Sequence, residues 1–374
     1  MKRIITTLFS GLCAIALLFN YSCQKSSPTT KSNGPDSVLI NIGNNIIMPS
    51  YNNLAASVNS LDSAITVFKS NPDNNGLANV QLRFKNAYLA WMTVSEYNGF
   101  GPASVHQPVL SGLNLFPATT AKIDTNIRKA DFNVNTLGNA DVKGFPALDY
   151  LLFGGGTNAL VNYTTDANAV NRKQYLAAVS ADIKTEVNDV VKAWSPTGGN
   201  YLNTFVTGTG NSVSSSLGLL INSMDHDFEI LKNDCLGIPL GKQPPGAPLQ
   251  ILPKEVEAYY SGISVQLAVT QMKAVQAIYL GTNAIGPSLG LDNYVTKANA
   301  QYNGGPLSTT IKTDFAQTIA GLQAIPDPLS ATIQNNPAPA DAVYSQCQKL
   351  VVLLKTDMPS SLGVLITYGD NDGD

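Results

Sequence analysis

Apolar residues along this chain recur every three or four positions, and the spacing repeats in segment after segment. Leu54, Val58, Leu61, Ile65 and Phe68 make one stripe, and Val80, Phe84, Ala87, Trp91 and Val94 make the next. Leu176, Val179, Ile183, Val187, Val190 and Trp194 follow, then Val213, Leu217, Leu220, Met224, Phe228 and Leu231. Val256, Tyr260, Ile263 and Leu267 open a further helix that runs on through Met272, Val275 and Tyr279. Two more stripes are Ile311, Phe315, Ile319 and Leu322, and Val343, Cys347, Leu350, Leu354 and Met358. This is the period of amphipathic helices with one buried face. Strand-type alternation of comparable length is absent, so the expected class is all-α. Pro49 interrupts the run from Val38 to Phe68, which predicts a kinked or broken first helix.

Helix breakers cluster at 70–75, 99–117, 154–157, 195–200, 237–248, 281–290 and 325–339. Long helices joined by such turns pack as antiparallel bundles. The Thr-, Gly-, Asn- and Ser-rich stretch 204–216 is the best candidate boundary, giving two helical-bundle domains, 37–205 and 206–374. Each half contains a helix running into glycine, at Phe153-Gly154 and at Leu280-Gly281, a weak sign of duplicated ancestry.

The first 36 residues do not belong to that pattern. Met1-Lys2-Arg3 gives a positive start, Ile4 to Phe19 carries no charge, and the segment closes on Ser22-Cys23. That order is a removable export signal over residues 1–22, too short in its apolar part to span a bilayer comfortably. Cys23 then becomes a lipid-bearing N-terminus, the chain's link to the membrane. Residues 24–36, rich in Ser, Thr, Pro, Lys and Asn, read as a flexible tether. The absence of an acidic run after Cys23 favours an outer-membrane lipoprotein facing the periplasm.

Charged residues are only 13% of the chain and the net charge is −3, with no basic patch, which argues against nucleic acid as a partner. With Cys13 removed in the signal and Cys23 lipidated, Cys235 and Cys347 remain as the one candidate disulfide. Neither lies in a CxxC pair, so a zinc knuckle is not supported. Catalytic motifs are missing: there is no HExxH, no G-x-S-x-G elbow and no P-loop. His226 sits among Asp225, Asp227 and Glu229, but neighbours on a helix point apart, so the run reads as a solvated helix face. His106 lies in a loop without a local partner. Asp370 to Asp374 is similar to the start of a calcium loop but lacks the bidentate Glu, and reads as an acidic tail.

Three stretches carry a family resemblance. Ala87-Tyr88-Leu89-Ala90-Trp91 with Glu96 and Phe100-Gly101-Pro102-Ala103 is the first. The second is Gly144-Phe145-Pro146-Ala147-Leu148-Asp149, followed by Tyr150-Leu151-Leu152-Phe153-Gly154. The third is Glu257-Ala258-Tyr259-Tyr260-Ser261 leading to Ile278-Tyr279-Leu280-Gly281, with Leu236 to Gly241 adding to it. Together they resemble the imelysin family, across nearly all of the chain after residue 36. The resemblance implies an exported helical envelope protein, often tied to iron acquisition, with two bundles and a cleft between them. It also implies that a G-x-H-x-x-E block lines the cleft. Here the histidine position is Pro146 and the glutamate position is Asp149, and Gly144 alone is kept. His and Glu at i and i+3 share a helical face and can reach one cation, whereas proline offers no lone pair to a metal. A metal cofactor at the cleft is weakened accordingly.

The residues left to bind a polar ligand are Glu96, Gly144, Pro146, Asp149, Glu257, Tyr260 and Ser261. The plainer alternative makes Glu96 and Glu257 helix-packing or capping groups and Tyr260 a core residue. The expected function is non-catalytic ligand binding at the inter-bundle cleft, linked to iron or nutrient uptake. The alternatives are a metal-dependent, peptidase-like enzyme, as the family has been classed, or a structural partner of an outer-membrane uptake complex.

Overall fold

The computed structural model describes residues 36–368, apart from 104, 106–111, 137, 247, 249, 284, 285 and 287. The export signal, Cys23, residues 24–35 of the tether, His106 and the tail Asp370–Asp374 lie outside the described residues. The chain begins with α1 (Ser37–Asn41), capped by Asp36, whose carboxylate accepts the Val38 amide at 2.9 Å. It passes through a π-helical segment, Ile42–Ile47, into α2 (Met48–Ser70). Of the kinked or broken first helix expected at Pro49, the structure shows no break but an irregular, π-helical stretch beside the proline. Pro49 follows directly on the π turns of one continuous helical path from Ser37 to Ser70, so the disturbance shows as a local widening of the helix.

α3 (Asn74–Trp91) follows a cap from Asp73, which accepts the Gly76 amide at 2.6 Å. A short 3₁₀ turn, Ser95–Tyr97, ends this stretch. After α4 (Thr120–Lys129), α5 (Gly144–Phe153) and the short α6 (Val161–Thr164) comes the long α7 (Ala169–Trp194). α2 packs on both α3 and α7, and α5 packs on α3 and α7. The apolar stripe of α2, Leu54 to Phe68, is buried along its length, as the 3.6-residue period requires. Tyr88 and Phe145 stack at 4.8 Å and 9°, locking α3 to α5.

α8 (Tyr201–Thr207) leads to α9 (Ser216–Ile230), which continues as a second π segment, Leu231–Gly237. Then α10 (Ser264–Leu280), α11 (Leu291–Lys297), α12 (Leu307–Gln323) and α13 (Leu329–Asn335) follow. α14 (Ala338–Val352), a third π segment (Leu353–Asp357) and α15 (Met358–Leu362) complete the order. α12 packs between α10 and α14. The only strands among the described residues are β1 (Gln301–Tyr302) and β2 (Gly305–Pro306), an antiparallel pair. All of these elements belong to one compact unit. The all-α class holds. No helix among the described residues is long and apolar enough to cross a membrane.

Three further expectations are corrected. Residues 253–262 are a run of turns, with Ala258 and Gly262 in the left-handed region, and α10 starts only at Ser264. Helical spacing there continues without a helix, and the Tyr260 and Ser261 amides are satisfied by the distant Asp149 carboxylate. Cys235 and Cys347 are both buried and unpaired, so they do not bridge. Asp225, Asp227 and Glu229 are buried in α9 and only His226 faces solvent, so that run is not a solvated face.

Candidate functional site

The helix carrying the Gly144-Phe145-Pro146-Ala147-Leu148-Asp149 block is fixed at its first residue. Gly144 has φ +74°, and a Cβ there would stand 2.4 Å from the Leu113 carbonyl oxygen, so only glycine fits. Lys143 just before it is buried and bridges Asp182 at 3.0 Å and Glu186 at 2.8 Å. Burial pushes the Glu186 carboxyl up to about 7 although Lys143 pulls it down. Pro146 occupies the first turn of α5, where its missing donor leaves no hydrogen bond unmade.

Asp149, one turn further on, is 2% exposed. Its two oxygens accept the backbone N–H groups of Tyr260 at 2.8 Å and Ser261 at 2.9 Å. Burial raises its carboxyl to about 6, opposed by these same hydrogen bonds. The acid of the motif thus holds the 258–262 turn against α5. Among the described residues no group of three or more His, Cys, Asp or Glu is placed to hold a metal ion.

That turn delivers Glu257, also 2% exposed, into the protein. Its Oε1 lies 2.7 Å from Asn114 Nδ2 and 3.1 Å from Tyr88 Oη, and the Cys235 thiol donates to Oε2 at 3.6 Å. Tyr88 Oη also stands 2.6 Å from Asn114 Oδ1, so its single proton has two acceptors. Burial raises the Glu257 carboxyl and drives the Cys235 thiol well up, so the thiol is not activated as a nucleophile. Glu257, Asn114 and Cys235 line a small cavity of ≈ 80 Å³ shared with Asp227 and Gln271 and with the apolar side chains of Trp91, Met92, Phe116 and Ile230. Asp227 Oδ2 accepts from Gln271 Nε2 at 2.7 Å and Ser95 Oγ at 3.1 Å, and burial brings its carboxyl up to about 7.

Glu96 sits beyond Asp227 in the 3₁₀ turn and is fully buried, 0% exposed. Its oxygens and the hydroxyl of Tyr97 beside it form no well-aligned hydrogen bond, although the Tyr97 side chain and the local backbone both lie close enough to act on the carboxyl. Burial and the nearby Asp227 charge drive its carboxyl well above the usual range. Glu96, itself enclosed, lies at the edge of a groove of ≈ 570 Å³, the size of small-molecule sites. The Ile42–Ile47 π segment and the start of α2 form one side, through Asn45, Ile46 and Pro49. α10 forms the other, through Val269, Lys273 and Ala277. Asn41 ties the two sides together, its Nδ2 donating to the carbonyls of Gly281 at 3.0 Å and Leu289 at 2.9 Å.

Of the residues singled out in the sequence, Asp149, Tyr260 and Ser261 meet directly, with Glu257 one turn away. Gly144 and Pro146 share their helix. Glu96 stands apart on the groove, coupled to the others only through the buried acids Asp227 and Glu257. Tyr260 is not core: it is 37% exposed, its ring against Tyr150 and Tyr259. Sequence reasoning missed Ser95, Asn114 and Gln271. Gln271 had a visible mark, a lone amide beside Ala268, Met272 and Val275 on the buried face of α10.

The imelysin family model matches residues 47–356. A Parabacteroides distasonis protein described as an iron-regulated protein A precursor has a similar structure, with TM-score 0.70 and 16% identity. That match covers 88% of this chain and 97% of the other. An imelysin-like protein from Psychrobacter arcticum is similar too, with TM-score 0.64 and 17% identity over 88% of this chain and 96% of that one. No curated protein matches the chain in sequence. With the family model spanning α2 through the third π segment, the chain belongs to the imelysin family.

Proposed function

We propose that this imelysin is a non-catalytic ligand-binding protein of the cell envelope, held to the membrane by a lipid on Cys23. Its ligand occupies the groove between Ile42–Ile47, α2 and α10. The observation that carries this reading is the groove itself, of small-molecule size and lined by amides, hydroxyls and the exposed Lys273 beside apolar side chains. The non-catalytic part is supported by the use of Asp149. Both of its oxygens are engaged by backbone amides, and Pro146 beside it offers no lone pair. A role in iron or nutrient uptake draws its support from the family and from the description of the Parabacteroides neighbour.

Soaking crystals of the protein and of Ala274→Trp, which fills the groove, with a fragment library tests the site. Fragments seated in the wild-type groove and lost in the variant are the expected result. Fragments that bind only elsewhere overturn it. Incubation with a peptide library tests the chemistry: chelator-sensitive cleavage overturns the non-catalytic assignment. A diacyl mass addition on Cys23 is expected of protein recovered from native membranes, and an unmodified Cys23 overturns the anchor.

A further inference from the structure

Among the described residues, Lys273 is the one charged side chain that the groove presents to solvent. It stands exposed on α10 and makes no ion pair among those residues. The acid at the groove's edge, Glu96, is enclosed, and burial with the Asp227 charge drives its carboxyl well above the usual range, so it stays protonated at neutral pH. The groove thus offers a ligand one positive charge and no accessible negative one. An anion is attracted there, and a cation finds no balancing charge.

The rest of the lining is unusually polar for its lack of charge. Seven of the fifteen described lining residues carry an uncharged amide or hydroxyl, whereas small-molecule sites are mostly apolar with a few polar groups. A wall of that kind suits a ligand that is itself rich in polar groups. The Thr93 and Thr270 hydroxyls donate to the Ala90 and Gln266 carbonyls, at 2.8 and 2.7 Å, and are left with oxygen lone pairs. Asn45 Nδ2 donates to Asn41 Oδ1 at 2.9 Å, which leaves Asn45 one N–H and its own oxygen. Partners for these groups must both donate and accept without carrying positive charge. The alcohol hydroxyl does both. Pro49, Val269, Ala274 and Ala277 add apolar surface for the C–H faces of a carbon skeleton.

The positive charge is also limited to one. No helix N-terminus opens on the groove, because the path from Ser37 to Ser70 is continuously helical and α10 starts at Ser264, more than a turn before Val269. The end of α10 that reaches the groove, at Ala277 to Thr282, is its C-terminus, which repels anions. A single lysine matches a carboxylate better than a phosphate group, which carries about −1.5 to −2 at neutral pH.

We propose that the groove takes a polyhydroxylated carboxylic acid of the sugar-acid kind, its carboxylate at Lys273 and its hydroxyls on the surrounding amides and hydroxyls. The proposal rests on the groove being the ligand site.

The test is calorimetric titration of the full-length protein in detergent with gluconate and glucuronate. Glucose, hexanoate, glucosamine and glucose 6-phosphate are the comparisons. The two sugar acids are expected to bind at least tenfold more tightly than glucose, which lacks the charge, and than hexanoate, which lacks the hydroxyls. Lys273→Ala is expected to bring the sugar acids down to the affinity of glucose and to leave glucose itself unchanged. Thr270→Val is expected to weaken the sugar acids and not hexanoate. Hexanoate or glucosamine binding as tightly as gluconate, tighter binding of glucose 6-phosphate, or sugar-acid affinities unchanged in Lys273→Ala overturns the assignment. So does the failure of every probe to bind a groove that accepts fragments, which leaves the groove as the ligand site. Sugar-acid binding that is indifferent to Ala274→Trp removes the groove itself, and the proposal with it.

Discussion

Asp149 and Tyr260 lie 111 residues apart in the chain, yet the Asp149 carboxylate accepts the Tyr260 amide at 2.8 Å. The family's acid position is thus filled by a backbone cap. Replacing Asp149 with Ala leaves the Tyr260 and Ser261 amides without acceptors, at about 1–3 kcal/mol for each donor that stays buried. Urea unfolding of Asp149→Ala is expected to show a loss of about 2–4 kcal/mol. A midpoint equal to that of the wild type would refute the capping role.

Restoring the histidine of the block does not restore a metal site if Asp149 is committed to the turn. Titration of Pro146→His with zinc or ferrous iron is expected to give no binding above the wild type. Stoichiometric uptake that is lost on further changing Asp149 to Ala would show the carboxylate to be available after all.

Gly144 is required by geometry. Alanine there carries the left-handed penalty of about 1–2 kcal/mol and meets the Leu113 carbonyl oxygen at 2.4 Å. A stability loss of at least about 2 kcal/mol is expected for Gly144→Ala. Thermal melts that superimpose on the wild type would contradict it.

The buried acids set the direction of the pH response. Burial raises Asp227 from its ordinary 3.8 to about 7, so the unfolded chain releases this proton well before the folded one does. The stability it contributes is fully present below pH 4 and is lost as pH rises through about 7. Melting temperatures of Asp227→Asn, followed from pH 4 to 8, are expected to fall less steeply with pH than those of the wild type. Parallel curves would assign the slope to other groups, such as Asp149 and Glu186, which are raised to about 6 and about 7.

Cys235 and Cys347 are buried, and burial pushes the Cys347 thiol up to about 12. Peptide mapping after iodoacetamide treatment is expected to find both unmodified in the native protein and both alkylated in urea. A Cys235–Cys347 linked peptide in non-reduced digests would overturn the unpaired assignment.

The helices were legible because their information is local: a stripe such as Leu54 to Phe68 states its own buried face. The turn at 253–262 was not. Val256, Tyr260, Ile263 and Leu267 keep helical spacing, while the decisive contact comes from Asp149 on another helix. The buried acids of α9 were misread for a related reason. Asp227 looks like a surface residue until Ser95 and Gln271, distant in sequence, supply its hydrogen bonds. Glu96, Asp149 and Glu257 were found through the family resemblance, which identified the positions but not what each one touches. A cleft was expected only through the family resemblance, because a gap between elements is encoded by no residue pattern of its own.

The π segment Ile42–Ile47 gives that gap an unusual means of change. A π turn carries one residue more than an α turn, and each residue of an α-helix accounts for about 100° of rotation. Deleting a single codon within 42–47 would restore α-helical pairing and swing Asn45 and Ile46 off the groove wall, leaving α2 and its core stripe in register. The shape of the groove is thus open to revision by insertion and deletion, one residue at a time, separately from the packing that holds the helices together.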